Sequence, residues 1–221
     1  MDAKDSIAEA EEIIESAIWE SRISEDWDWE LAEYRKATKI LVDLKDLEED
    51  VERERKRVLS FCLMRIDEAL VKLGREEDAV RRAQESLQYA IESGNEVQIA
   101  RSKLALGIRF LNEEQLSDAE LYLGEIITEG IDSIEEDMLQ VVGWALLVRA
   151  SILKGKSLYN QALLVAHDAA GILSGIGNYA GLAQVYSLIA KLQMDVGNPE
   201  EAKTAEEMSE SYSQKANEFR K

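Results

Sequence analysis

The chain is 221 residues long, 46% hydrophobic and 32% charged, with one proline, one cysteine and a formal charge of −19. The apolar fraction excludes a disordered chain, the length suffices for a sizeable core, and near-absence of proline favours long helices over a loop-rich β fold. An acidic surface repels phosphate backbones and anionic lipid, which excludes nucleic acid and membrane as partners and leaves a protein or peptide, favoured if it carries a basic segment.

The charge is uneven: residues 1–50 carry net −11, residues 51–110 net +2 and residues 111–221 net −10, so a relatively basic belt separates two acidic ends. Met1-Asp2-Ala3-Lys4-Asp5 has no basic start or apolar run of a signal peptide, and the run from Val141 to Val148 is too short to cross a bilayer. A cytoplasmic location is the expectation.

Helical periodicity starts at once. Ile7, Ala10, Ile14, Ala17 and Ile18 form one apolar stripe, and Trp27, Leu31, Tyr34, Leu41 and Leu44 a second, predicting helices near 4–22 and 26–46 that make an atypical N-terminal hairpin over 1–50. Two registers compete in the second helix, Trp29-Glu-Leu-Ala32 and Tyr34-Arg-Lys-Ala37; the latter is preferred because it puts Leu41 and Leu44 on the packed face. Trp27 and Trp29 point about 200° apart on a helix, so one of them is expected to be exposed. Asp26, Asp28 and Glu30 alternate like cation ligands but lack the glycine and distant glutamate of a calcium loop; helix-start acids explain them more simply.

The run from Glu52 to Arg57 mixes signs at helical spacing and reads as a solvated helix face. Val58, Cys62, Ile66, Leu70 and Leu73 then form a third stripe, which makes Cys62 a buried, inert thiol. From here punctuation is regular. Gly74, Gly94-Asn95, Gly130, Gly155, Gly177-Asn178 and Gly197-Asn-Pro199 each follow a helical stretch, where glycine suits a helix end and proline the next first turn. Short loops between amphipathic helices make antiparallel hairpins.

Four alanines open second helices in similar contexts: Ala79, Ala119, Ala162 and Ala202, spaced by 40, 43 and 40 residues. Two helices approach closely only where side chains are small, so Gly107, Ala150 and Ala190 are expected to face Ala119, Ala162 and Ala202; Asp67 occupies the equivalent place in the hairpin before them. His167 is the single histidine, no Gly-x-Ser-x-Gly turn presents a nucleophile, and one His with one Cys is too few for a transition-metal site. No enzyme activity, cofactor or metal is expected.

Leu106-Gly107 with Phe110, and Gly197-Asn-Pro-Glu-Glu-Ala202, resemble the two helices of the tetratricopeptide repeat, in a longer-period variant of about 40 residues. The resemblance covers residues 51–221 and implies an all-α, right-handed αα-superhelix of about five antiparallel hairpins, the four over 51–221 packed with the first as one continuous solenoid. It also implies that first helices line a concave groove. Carried over by register, the partner-binding residues are Phe61 and Met64; Arg101, Leu104 and Ile108; Trp144, Leu147, Ser151 and Lys154; and Gln184, Ser187 and Lys191. Glu68, Val71, Leu111 and Met194 share those faces. Much of this lining is apolar, which suits an amphipathic helix or extended segment of a partner. The function implied is that of a protein-interaction adaptor; the alternative is a self-assembling repeat, such as a homodimer, burying the apolar groove or exposed Trp residues against another copy.

Overall fold

In the computed structural model, which describes residues 2–218 apart from the side chain of Arg22, ten helices follow one another with no strand among the described residues. They are α1 (Ala3–Ser24), α2 (Trp27–Asp43), α3 (Glu49–Lys72), α4 (Glu76–Ser93), α5 (Glu96–Asn112), α6 (Leu116–Gly130), α7 (Glu136–Gly155), α8 (Tyr159–Gly175), α9 (Tyr179–Asp195) and α10 (Pro199–Glu218). The chain divides into two compact units, Met1–Leu106 and Gly107–Lys221. In the first, α1 packs on α2 and α3 on α4, with α2 and α1 both against α3. In the second, α7 packs on α8 and α9 on α10, while α6 meets α7 and α9 meets both α8 and α7.

The turns inside the hairpins obey one rule. Gly74, Glu114, Ser157 and Gly197 all have positive φ, between 60° and 84°, and each stands five residues before one of the repeated alanines. The next amide bonds back across the helix end every time: Arg75 to Leu70, Gln115 to Phe110, Leu158 to Leu153 and Asn198 to Gln193, at 2.8–2.9 Å. This is the left-handed closure that satisfies the last carbonyls of a helix. Between hairpins another device recurs. Asn95 Oδ1 accepts from the Gln98 amide and Asn178 Oδ1 from the Gly181 amide, both at 2.8 Å, capping α5 and α9. Asp26 caps α2 in the same way through the Trp29 amide at 3.0 Å.

The small residues lie where close approach demands them. Ala79, Ala119, Ala162 and Ala202 are buried, as are Ala150 and Ala190. A Cβ on Gly107 would sit 3.5 Å from Leu123 and 3.7 Å from the Ala119 carbonyl, so α5 and α6 cross at that glycine. Leu173 of α8 makes the tightest joint. A Cβ on Gly143 of α7 would come within 2.6 Å of it and one on Gly181 of α9 within 3.0 Å, so two glycines form the slot that the leucine fills. Asp67 is fully buried, an ionisable residue where the other hairpins carry Gly or Ala.

In the N-terminal hairpin Ala37 and Tyr34 are buried and Ala32 is exposed, so the Tyr34-x-x-Ala37 register is the packed one. Trp29 is 37% exposed, while Trp27 is half-buried with the Lys72 ammonium 5.4 Å from its ring centroid. The mixed-sign run in α3 is more than a solvated face: Arg57 pairs with Glu54 and with Glu11 of α1, Lys56 with Glu92 of α4 at 3.0 Å, and Arg55 donates to the Leu41 carbonyl of α2 at 3.1 Å. Alternating charges thus tie α3 to three neighbours. Behind them lies a buried hydroxyl cluster. Ser60 and Ser86 each donate to the other's backbone carbonyl, Ser102 Oγ is 2.8 Å from Ser86 Oγ, and Gln98 Nε2 donates to Ser60 Oγ at 3.0 Å.

α7 is the one described helix long and apolar enough to cross a membrane by length and composition, and half of its apolar stretch is buried within the protein. Its position against α6, α8 and α9 accounts for that composition.

Candidate binding groove

In the second unit a groove of about 600 Å³ opens between the end of α5, α7, α9 and α10. α7 presents Trp144, Leu147, Val148 and Ser151 to it, the i, i+3, i+4, i+7 spacing of one helix face. α9 presents Ala183, Gln184, Ser187, Leu188 and Lys191, and α5 presents Ile108 and Leu111. Apolar side chains make the floor; Ser151, Gln184, Ser187 and Lys191 stand along the rim. That volume lies within the ~300–1,000 Å³ of ordinary ligand sites, and an apolar floor with a few polar groups is their usual make-up.

Seven of the twelve residues singled out from the sequence therefore surround one groove: Ile108, Trp144, Leu147, Ser151, Gln184, Ser187 and Lys191. Lys154, one turn beyond Ser151, forms an ion pair with Asp195 at 3.2 Å. Phe61 and Arg101 line a different, smaller cavity of about 120 Å³ with Glu11, Ile14, Glu15 and Arg57. Met64 is buried and Leu104 half-buried.

Two contributors came from an unexpected element. Ser209 and Ser213 of α10 also line the groove, and Ser209 Oγ donates to the Ala183 carbonyl at 2.8 Å. The register rule assigns second helices to the back, so it excludes α10. The local signal was the run Ser209-Glu-Ser-Tyr-Ser213, whose serines at i and i+4 give one helix face a narrow polar edge.

The electrostatics of the lining are simple. Lys191 is its single charged residue, and the residues around it are neutral. The groove thus offers apolar surface, hydroxyl and amide groups and one ammonium. Among the described residues no group of three His, Cys, Asp or Glu is placed to hold a metal ion. His167 lies exposed on α8. Cys62 is buried, its thiol beside the Tyr34 carbonyl at 3.2 Å, and burial pushes its pKa up to about 11. A thiol so protonated is a poor nucleophile.

No family profile and no curated protein matches the sequence. Solved structures do resemble it. BtubC (BKLC) from P. vanneervenii superposes with a TM-score of 0.65 at 16% identity, covering 98% of this chain and 93% of its own. The TPR-like repeats of a kinesin light chain from Podosopora anserina give 0.63 at 10% identity, with 95% and 97% covered. Aspartyl phosphate phosphatase F from Bacillus subtilis gives 0.68 at 17% identity over 85% of this chain, which spans 46% of that protein. The fold is that of TPR-like helical repeats. At these identities the likeness speaks for the fold alone.

Proposed function

We propose that the chain is a non-catalytic adaptor that holds a segment of a partner protein in the groove between α5, α7, α9 and α10. One observation carries the reading: Ile108, Leu111, Trp144, Leu147 and Leu188 converge from three helices on an opening of about 600 Å³ that none of the described residues fills. Apolar surface left in a concave site is stabilised by an apolar occupant. A helix in a groove supplies this with side chains at i, i+3 or i+4 and i+7, and the Ser and Gln rim bonds to its polar edge. Lys191 selects an acidic group or a helix C-terminus near the α9 side of the groove. A basic flank of the partner would meet the acidic surface beyond the lining rather than the lining itself.

Peptide display against the full chain, followed by calorimetric titration of the selected sequences, tests this. Trp144→Ala should weaken binding by about 30-fold or more, the effect of removing a central aromatic anchor. Leu164→Ser, on the exposed face of α8, should leave affinity unchanged. Equal affinity for wild type and Trp144→Ala would remove the groove from the account.

A second reading rests on a different surface. Trp19 and Ile23 of α1 are 54% and 70% exposed. Self-association through this face predicts a mass that rises with concentration and falls back to monomer with Trp19→Glu.

A further inference from the structure

The groove leaves unexplained a small pocket in the first unit, bounded by α2, α3 and the start of α4. Its volume is about 150 Å³; Leu63, Ile66 and Leu70 form its floor, and Arg35, Arg75 and Arg82 stand around it with Asp78 and Thr38. Three guanidinium groups against one carboxylate is an odd lining for a chain of net charge −19.

The present partners of the three arginines differ. Arg75 donates twice to Asp78 Oδ2, at 3.1 and 2.6 Å, and Arg81 takes the other oxygen at 3.0 Å. Arg82 turns to Glu85, which lies outside the lining. Arg35 is exposed on α2 and pairs with no carboxylate among the described residues. The ion pairs that are made lie at the surface, where such pairs are held weakly and exchange readily. An arriving anion therefore meets one uncommitted guanidinium and two that swap partners with little penalty.

The geometry points to a phosphate monoester as the ligand: we infer that Arg35, Arg75 and Arg82 form a site for a phosphate group carried on a short aliphatic stem. A carboxylate is planar and is satisfied by one or two arginine forks, as Asp78 already is. A tetrahedral dianion has oxygens enough for three forks approaching from α2, the α3–α4 turn and α4. The pocket has the volume of about five waters, room for a phosphate with its methylene against the apolar floor while the rest of the ligand extends outward. Asp78 is then the internal counter-ion that keeps Arg75 in place while the site is empty. This site shares no residue with the groove, so the two readings stand or fall separately.

Titration of the full chain, followed by NMR of the arginine Nε–Hε signals, tests the inference with three probes: inorganic phosphate, a phosphoserine peptide and the same peptide unphosphorylated. Saturable shifts at Arg35 and Arg82 are expected with a phosphate-bearing probe, weaker at pH 5.5 than at pH 7.5 because the second ionisation lies near pH ~6. Arg35→Gln should weaken binding at least 10-fold. Asp78→Asn, which removes the competing carboxylate and leaves Arg35 and Arg82 intact, should tighten it several-fold. Tighter binding of the phosphopeptide than of free phosphate would assign the group to a polypeptide; equal binding would assign it to a small phosphate. Shifts that never saturate, equal shifts with the unphosphorylated peptide, or an Arg35→Gln variant that binds as well as wild type would each overturn the inference.

Discussion

The joint between α7, α8 and α9 gives a prediction whose sign depends on one contact. Gly143→Ala adds a methyl to the interior of α7, where alanine is favoured over glycine by about 1 kcal/mol on propensity alone. The same methyl would sit 2.6 Å from Leu173 Cδ2 and 2.7 Å from its Cγ, in a slot where Leu173 is already held by Gly181. Leu173 is completely buried and flanked by Gly143 and Gly181, so the overpacking penalty of about 1–3 kcal/mol outweighs the propensity gain. The single substitution should destabilise by roughly 0–2 kcal/mol. Leu173→Ala alone should destabilise by about 2–5 kcal/mol, through lost burial and a cavity. In that background the new methyl enters vacated space, so Gly143→Ala should become stabilising by about 1–2 kcal/mol. Urea unfolding followed by far-UV circular dichroism on the four proteins of this cycle measures the coupling, expected to be about 2 kcal/mol. If Gly143→Ala changes stability by the same amount in both backgrounds, the wedge of Leu173 between two glycines is not what joins these helices.

Other expectations follow from the turns, the thiol and the charged face of α3. Ser157→Gly should stabilise by about 0.5–1 kcal/mol and Gly74→Ala destabilise by about 1 kcal/mol, because both positions have positive φ and a Cβ at Gly74 would touch nothing; thermal melts decide. Cys62, with its thiol pushed up to about 11 and buried, should resist iodoacetamide at pH 8 in the folded protein and react fully once unfolded, as mass spectrometry would show; rapid native labelling would contradict the burial. Arg55 holds the Glu52 carboxyl below the ordinary glutamate range, and Arg57 does the same for Glu54. Both folded pKa values lie below the unfolded ones. Their stabilising contribution is therefore complete above about pH 4.5 and is lost as pH falls through the folded values. Arg55→Gln should flatten the acid limb of stability measured by urea unfolding between pH 5 and pH 2.

The hairpins were legible because their signals are local. A residue of positive φ stands five residues before a buried alanine at all four turns from Gly74 to Gly197, and an asparagine cap recurs between hairpins at Asn95 and Asn178. Two of those turns use Glu114 and Ser157 where glycine would be easier, which hides them from a search for glycine but not from one for the following alanine. The groove was legible wherever it depends on one helix face, as with Trp144, Leu147 and Ser151. It was not where it depends on how far a neighbouring helix reaches, as with Ser209 and Ser213 of α10. Phe61 and Arg101 share the register of the groove residues yet line another cavity, because register gives the direction of a side chain and not what stands opposite it. The hydroxyl cluster of Ser60, Ser86 and Ser102 was missed for the same reason. Each serine alone reads as a polar helix position, and only the packing of three helices makes them one another's partners.

Site-specific photo-crosslinking with a selected peptide tests the central claim most directly. A photoreactive residue is placed either at Ser151, on the groove rim, or at Leu164, on the exposed face of α8. The account predicts a peptide adduct from position 151, none from position 164, and loss of the adduct in Trp144→Ala. Adducts from position 164 with none from 151 would contradict it, and would place the partner on the opposite surface.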